Sequence, residues 1–246
     1  GDEIKFISSE AIVGTCMVMD KMFIRLQSMP DPSTVRPEKV LVKWAERLQV
    51  KYDENEADYE WICDQFKAIR QDMVIQHIKN DNTISVYEAN ARIALLEDDM
   101  GEFYKIQSYL INLYKELPEL SRVNMNEFIA YRVFYWVVNR NNADLMKEMK
   151  AMTPEQKKDP SIRNALEQHG AVQLSDYHTF FSLYRATPNL GKCIAKHIRD
   201  TMRARALRVM LRAYKPTMAT EVLMGRLGFK CGLDGLFEGN DDDDDD

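Results

Sequence analysis

Glycine and proline are scarce in this chain, with ten and eight residues out of 246. Sheet-rich folds spend many such residues on turns, so the shortage points to long helices. Cysteine is scarce too. Cys16, Cys63, Cys193 and Cys231 lie far apart and form no CxxC pair. That spacing argues against a zinc or redox motif and makes buried free thiols in a reducing compartment the expectation. No run reaches the roughly 18 uncharged apolar residues of a membrane span. The most apolar early stretch, residues 11–24, is interrupted by Asp20 and Lys21. The start of the chain lacks the basic opening and apolar run of a secretory leader. The sequence therefore reads as soluble and intracellular, with no membrane partner. Catalytic signatures are missing as well. There is no GxSxG, P-loop or Rossmann glycine pattern, and His77, His169, His178 and His197 show no HExxH spacing. The expectation is a non-enzyme with no cofactor and no metal.

The charge is more informative than its total. The net charge of -6 comes from 39 acidic and 33 basic residues, and the six aspartates 241–246 account for the whole excess. The rest of the chain is neutral, which is not the pattern of a protein that coats nucleic acid by bulk charge. Yet between residues 192 and 215 eight Lys and Arg stand against one acid, Asp200.

Apolar side chains recur every three to four positions along most of the chain. The pattern predicts a first helix over 9–29 with Ser9 as N-cap, then a proline-rich loop (MPDPSTVRP). A second helix begins near Pro37 and carries Val40, Leu41, Trp44 and Leu48 on one stripe. Further helices are predicted over 59–78, 83–97 (capped by Thr83), 102–116, 125–139, 142–151, 154–168, 175–186 and 190–213. The 125–139 segment is apolar on nearly all sides and is expected to be buried on nearly all sides. Connections this short force neighbouring helices to run antiparallel. The fold expected is all-α: an irregular α-solenoid of antiparallel helix pairs without a fixed repeat. After Pro216 a short helix (ATEVLMGRLGF) is followed by GLDGLFEGN, only the beginning of a winged-helix module. The division expected is N-terminal helices and an acidic linker over 1–58, a helical-repeat domain over 59–213, a partial winged-helix start over 214–239 and an acidic disordered tail over 240–246.

The segment WICDQFKAIRQDMVIQ (61–76), with IRQD at 69–72 and Gln76, resembles the signature helix of the Sac–GANP family of PCI-like scaffolds. VYEANARIAL (86–95), DMGEFYKIQSYLINLY (99–114), NEFIAYRVFYWV (126–137), YHTFFSLY (177–184) and YKPTMATEVLMGRLGF (214–229) are similar to later elements of that family. The likeness covers roughly residues 59–229. CDQFKAIRQD departs from the DRxRxIRQD form of the mRNA-export scaffolds and looks more like the branch with leukocyte receptor cluster member eight. The resemblance implies a nuclear scaffold in mRNA maturation or export. It also implies two partners, a PCI-domain protein and a small acidic Sem-type peptide, with RNA bound on a platform of paired winged helices.

Two sets of residues are candidates for a site. Arg70, Asp72, Gln76 and Arg92 are expected to form a packing network, with Asp72 and Gln76 sharing a face at i, i+4 and reaching Arg92 on the next helix. The basic helix is the functional candidate. Lys192, Lys196, Arg199 and Arg203 form one stripe and Arg205, Arg208, Arg212 and Lys215 another, with Ile198, Met202, Val209 and Ala213 between them facing the core. Basic groups so placed suit phosphate contacts in RNA. The competing reading is a solvated face on a protein-only scaffold of the proteasome-lid kind. The aromatic clusters Tyr131, Phe134, Tyr135, Trp136 and Tyr177, Phe180, Phe181, Tyr184 have helical spacing and read as core rather than base-stacking platforms.

Overall fold

The computed structural model describes residues 11–117, 123–215 and 217–229. Among them the only regular structure is helical, so the chain is all-α. It divides into two compact units, Gly1–Arg122 and Val123–Asp246.

The first unit holds α1 (Glu38–Asp53), α2 (Tyr59–Ile75), α3 (Asp81–Leu96) and α4 (Met100–Glu116). Each packs on the next, and α1 also reaches α3. The stripe predicted for α1 is buried: Leu41, Trp44 and Leu48 meet Ile62, Phe66, Ile69 and Met73 of α2 and Val86 and Ile93 of α3. Each such side chain contributes about 1.5–3 kcal/mol by leaving water. Short polar residues start α2, α3 and α4. Asp58, Asn80 and Asp99 accept hydrogen bonds from the N–H groups of Trp61, Thr83 and Glu102. Asn80, rather than Thr83, is therefore the cap of α3.

The expected first helix over 9–29 is absent. Residues 11–26 carry no regular hydrogen-bonded structure, and residues 1–10, with Ser9, lie outside the described part. The reason is competition for the backbone. Side chains of α2 take the groups that a helix would have paired. Gly14, Lys21 and Phe23 donate their N–H groups to Gln76, Gln65 and Asp64, and Gln71 donates to the carbonyl of Ile24. Gly14 is required there, because a Cβ would stand 2.3 Å from the carbonyl oxygen of Val35.

The second unit holds α5 (Met125–Val138), α6 (Asn142–Ala151), α7 (Pro160–Leu174), α8 (Tyr177–Arg185), α9 (Gly191–Ala213) and α10 (Thr220–Arg226). The all-round apolar α5 is its hub and packs against α6, α7 and α9. The helix expected over 154–168 starts later, at Pro160, after a short 3-10 turn at Gln156–Lys158. Proline lacks the N–H that a first-turn position leaves unpaired, and the Asp159 carboxylate accepts from Ser161 and Ile162. Of the winged-helix start expected over 214–239, α10 is described; residues 230–239, with Cys231, and the acidic tail lie outside the described part.

Six helix reversals share one device. Asn55, His77, Asp98, Arg140, Ser175 and Asn189 adopt φ between 51° and 59°, one in each connection from α1 to α4, α5 to α6 and α7 to α9. These left-handed turns fall to residues other than glycine, which is how a helical chain reverses so often with so few glycines. No described helix is long and apolar enough to cross a membrane.

Candidate functional site: a buried Arg–Asp–Gln network and a basic helix

In the first unit, Asp72 of α2 is fully buried and holds two cations. Arg36 donates from Nε to Oδ2 at 2.7 Å and Lys21 from Nζ to Oδ1 at 2.8 Å. Arg36 also donates from Nη1 to the carbonyl of Met19, and Lys21 to that of Thr34. Gln76, one turn after Asp72, accepts from Gly14 and donates to the carbonyls of Arg36 and Asp72. Asp72 and Gln76 thus fasten the irregular segment 14–36 to α2. The structure brings these two together, as expected from their spacing, but gives the other two members different partners. Arg70 pairs with Glu102 of α4 and stacks on Tyr87, 5.8 Å from the ring centre. Arg92 lies 3.7 Å from Glu88 on its own helix.

Glu102 is buried, and burial works against its charge. The Arg70 guanidinium, through charge and hydrogen bond, together with Lys67 and Lys105, overcomes this and holds the carboxyl below its ordinary value. Sequence reasoning missed Arg36, Lys21 and Glu102. Arg36 carries no periodic signal, since it sits in the proline-rich loop. The buried glutamines on α2 (Gln65 and Gln71) were the available hint that this helix serves something other than another helix.

In the second unit, α9 begins at Gly191, where a Cβ would stand 2.6 Å from Thr187 and 3.0 Å from the Phe134 ring. The bare backbone lets the helix start close against α5. Its buried stripe runs Ile194, Ile198, Met202, Ala206, Met210 in steps of four. Val209 and Ala213, expected in the core, are exposed. A stripe advancing by four drifts 40° per step on a 100° wheel, and by Met210 the face has rotated past them.

The basic residues split into two groups. Arg203 donates to the carbonyls of Leu227 and Gly228 at 3.1 and 3.3 Å and lies 3.8 Å above the Phe229 ring. Arg205 donates to the carbonyl of Val172 at 3.2 Å. Both arginines thus cap the C-terminal ends of neighbouring helices, α10 and α7, where unpaired carbonyls and the helix dipole favour a cation. Arg199 contacts Asp200. Lys192 and Lys196 are half-buried near the helix start. Arg208, Arg212 and Lys215, by contrast, are exposed and form no ion pair among the described residues. They recur at i, i+4 and i+7, hence on one side. Leu211 (67% exposed), Val209 and Tyr214 share that end of α9, and Arg226 of α10 stacks on Tyr214 and bonds its hydroxyl.

The aromatic clusters behave as core. Tyr131, Phe134 and Trp136 are buried, as are Phe180, Phe181 and Tyr184, while Tyr135 and Tyr177 are half-buried. Among the described residues no three His, Cys, Asp or Glu gather where a metal ion would be held.

Comparison with known proteins supplies the lineage. The SAC3/GANP family matches residues 14–101 and 99–232. A THP3 homolog of Schizosaccharomyces pombe is 38% identical over 221 residues, covering 89% of this chain and 55% of that protein. The leukocyte receptor cluster member 8 homolog of Xenopus laevis is 38% identical over 93% of this chain and 27% of its own length. SAC3 family protein A of Arabidopsis thaliana is 37% identical over 89% and 21%. The chain thus spans about half or less of the relatives it matches. With nearly its whole described length inside the family match, the chain belongs to the SAC3/GANP family.

Proposed function

We propose that this chain is a non-enzymatic scaffold subunit of a nuclear PCI-type complex acting in mRNA maturation, transcription-coupled processing or export. It joins a PCI-domain protein and a small acidic Sem-type peptide, and the far end of α9 contributes to RNA binding by the assembled complex. Family membership supports the scaffold role, and the THP3 and leukocyte receptor cluster member 8 relatives support the branch. The observation that carries the RNA reading is the open trio Arg208, Arg212 and Lys215, which the fold leaves exposed while Arg203 and Arg205 are spent on helix ends.

The test is a titration of the assembled complex with a fluorescent single-stranded RNA. Arg208→Glu, Arg212→Glu and Lys215→Glu together weaken binding, on the order of tenfold or more at low salt. They also flatten the dependence of log K on log salt by about 0.7 for each phosphate no longer neutralised. A second reading, a protein-only scaffold, is favoured by the use of Arg203 and Arg205 on helix ends. Normal assembly with unchanged RNA affinity in the triple variant establishes that reading and removes the first. A pull-down from nuclear extract that lacks both a PCI protein and an acidic peptide contradicts the assembly.

A further inference from the structure

The irregular segment of the first unit is apolar on two sides. Ile12, Gly14, Cys16, Met19 and Lys21 are buried or half-buried against the fold. The residues between them are exposed, in an in-out alternation with one slip at Met17 and Val18. Val13, Met17, Val18, Met22 and Ile24 are 62–77% exposed, and Phe23 is 38% exposed. Taking roughly 150–250 Å² for a large apolar residue free in water, these six expose on the order of 700 Å². The largest apolar patch on a soluble monomer is about 300–600 Å², and each partner in a stable complex contributes about 800 Å². A looseness of the chain does not account for this. Gln65, Gln71, Gln76 and Asp64 fix its backbone from α2 and its end. Thr15 and Cys16 donate their N–H groups to the carbonyls of Pro32 and Val35, and Arg36 holds the carbonyl of Met19. A segment held this firmly on its inner side presents its outer side. Extended chain that is apolar on both sides is covered on both sides in a finished fold.

We propose that the outer side of Val13 to Ile24 is the docking surface for a second protein chain that presents an uncharged apolar face. In the proposed assembly that chain is the PCI-domain subunit, and in naming it the inference rests on that reading. Charge selects a protein over the other occupants. Asp20 and Arg25, one of each sign, are the exposed charges of residues 11–29, while the Lys21 ammonium is taken by Asp72 and the carbonyl of Thr34. Nucleic acid needs a row of cations along its phosphates, and an anionic bilayer draws clusters of Lys and Arg; the strip offers neither. Area selects a stable partner over a passing one, since the exposed surface approaches what one side of a standard interface buries. Met17 and Met22 suit the role, because an unbranched thioether side chain adapts to the relief of the opposing face. The buried Arg36–Asp72 pair and the glutamines then have a purpose beyond their own unit: they hold the strip in the shape the partner meets.

The experiment uses the assembled complex. A benzophenone amino acid in place of Met17 or Met22 is expected, on irradiation, to cross-link to the PCI-domain subunit, mapped by mass spectrometry. Val18→Asp together with Met22→Asp is expected to weaken association with that subunit by about thirtyfold or more. Val50→Asp, at an exposed apolar position of α1, is expected to leave it unchanged. The urea midpoint followed by Trp44 and Trp61 fluorescence checks that the variants stay folded, and the cross-link decides the matter on the parent fold if the double variant does not. A complex that holds a PCI-domain subunit, gives no cross-link to it and ignores the aspartates overturns the inference and leaves the scaffold reading standing. Cross-links confined to a second copy of this chain, with light scattering showing a dimer that the aspartates dissociate, also overturn it. So does co-sedimentation with phosphatidylserine vesicles that the aspartates abolish. A complex with no PCI-domain protein defeats the scaffold reading itself, and the partner named here with it.

Discussion

Arg36 and Asp72 face each other across 2.7 Å, and neither side chain is exposed to solvent at all. A pair in this position is coupled to the packing of its unit, because the desolvation of each charge is offset only by the other and by the hydrogen bonds around them. Lys21 completes the site from its rim, with a quarter of its side chain exposed. Asp72→Asn leaves Arg36 buried without its counter-ion, and the expected cost is about 3–5 kcal/mol. Urea unfolding followed by the fluorescence of Trp44 and Trp61, both in the first unit, measures it. A loss below about 1 kcal/mol would show that the pair is not coupled to folding.

The Arg70–Glu102 pair gives a prediction with a sign. The Glu102 carboxyl titrates below its ordinary value in the folded chain. A depressed acid adds stability that is fully present above its unfolded pKa, about 4.3, and is lost as the pH falls through the lower folded value. Glu102→Gln is therefore expected to lower the urea midpoint at pH 7 and pH 5, and the gap from the parent chain should narrow below about pH 4. A gap that stays constant from pH 7 to pH 3 contradicts the assignment.

Much of the fold was legible because helices announce themselves by period. The stripe on α1 predicted a buried face and the all-round apolarity of α5 a helix buried on nearly all sides; the stripe is buried and no residue of α5 is exposed. The first failure came where period and partner part ways. Residues 11–24 have the apolar content of a helix, yet Gln65 and Gln71 on α2 and Gln76 at its C-terminal cap take backbone groups of Lys21, Ile24 and Gly14. Side-chain competition of that kind is a long-range fact and leaves no local trace. The second failure came in the site. The eight basic residues of α9 look equivalent in sequence, but Arg203 and Arg205 sit opposite the carbonyl ends of helices that arrive from elsewhere in the chain. Only the fold separates the cations that hold it together from those it leaves open.

The left-handed turns make a prediction opposite in sign to most substitutions. Arg140, in the α5–α6 connection, holds φ at 54°, and its side chain is exposed. An L-residue pays roughly 1–2 kcal/mol for that conformation, against which glycine's larger unfolded-state entropy subtracts somewhat less. Arg140→Gly is thus expected to stabilise the second unit by about 0.5–1 kcal/mol. Thermal unfolding followed by Trp136 fluorescence is the measurement, and a lower midpoint in the variant refutes the account.

The division of labour on α9 predicts opposite phenotypes for residues five positions apart. Arg203 holds the end of α10 by two carbonyl hydrogen bonds and lies over Phe229, while Leu227 is buried against Ala206 and Met210. Arg203→Ala removes both bonds and the ring contact, each worth on the order of 1 kcal/mol. Because α10 has only seven residues and no buried residue of its own, that loss is expected to open it. Hydrogen exchange should then quicken by roughly tenfold or more at the amides of residues 223–229 and stay unchanged in α5. Arg208→Ala has no such bonds to lose and should leave the exchange of α10 alone, changing only what binds the surface. Equal protection of α10 in the parent chain and in Arg203→Ala would mean that the arginine is no clamp, and the separation of structural from open cations on this helix would have to be abandoned.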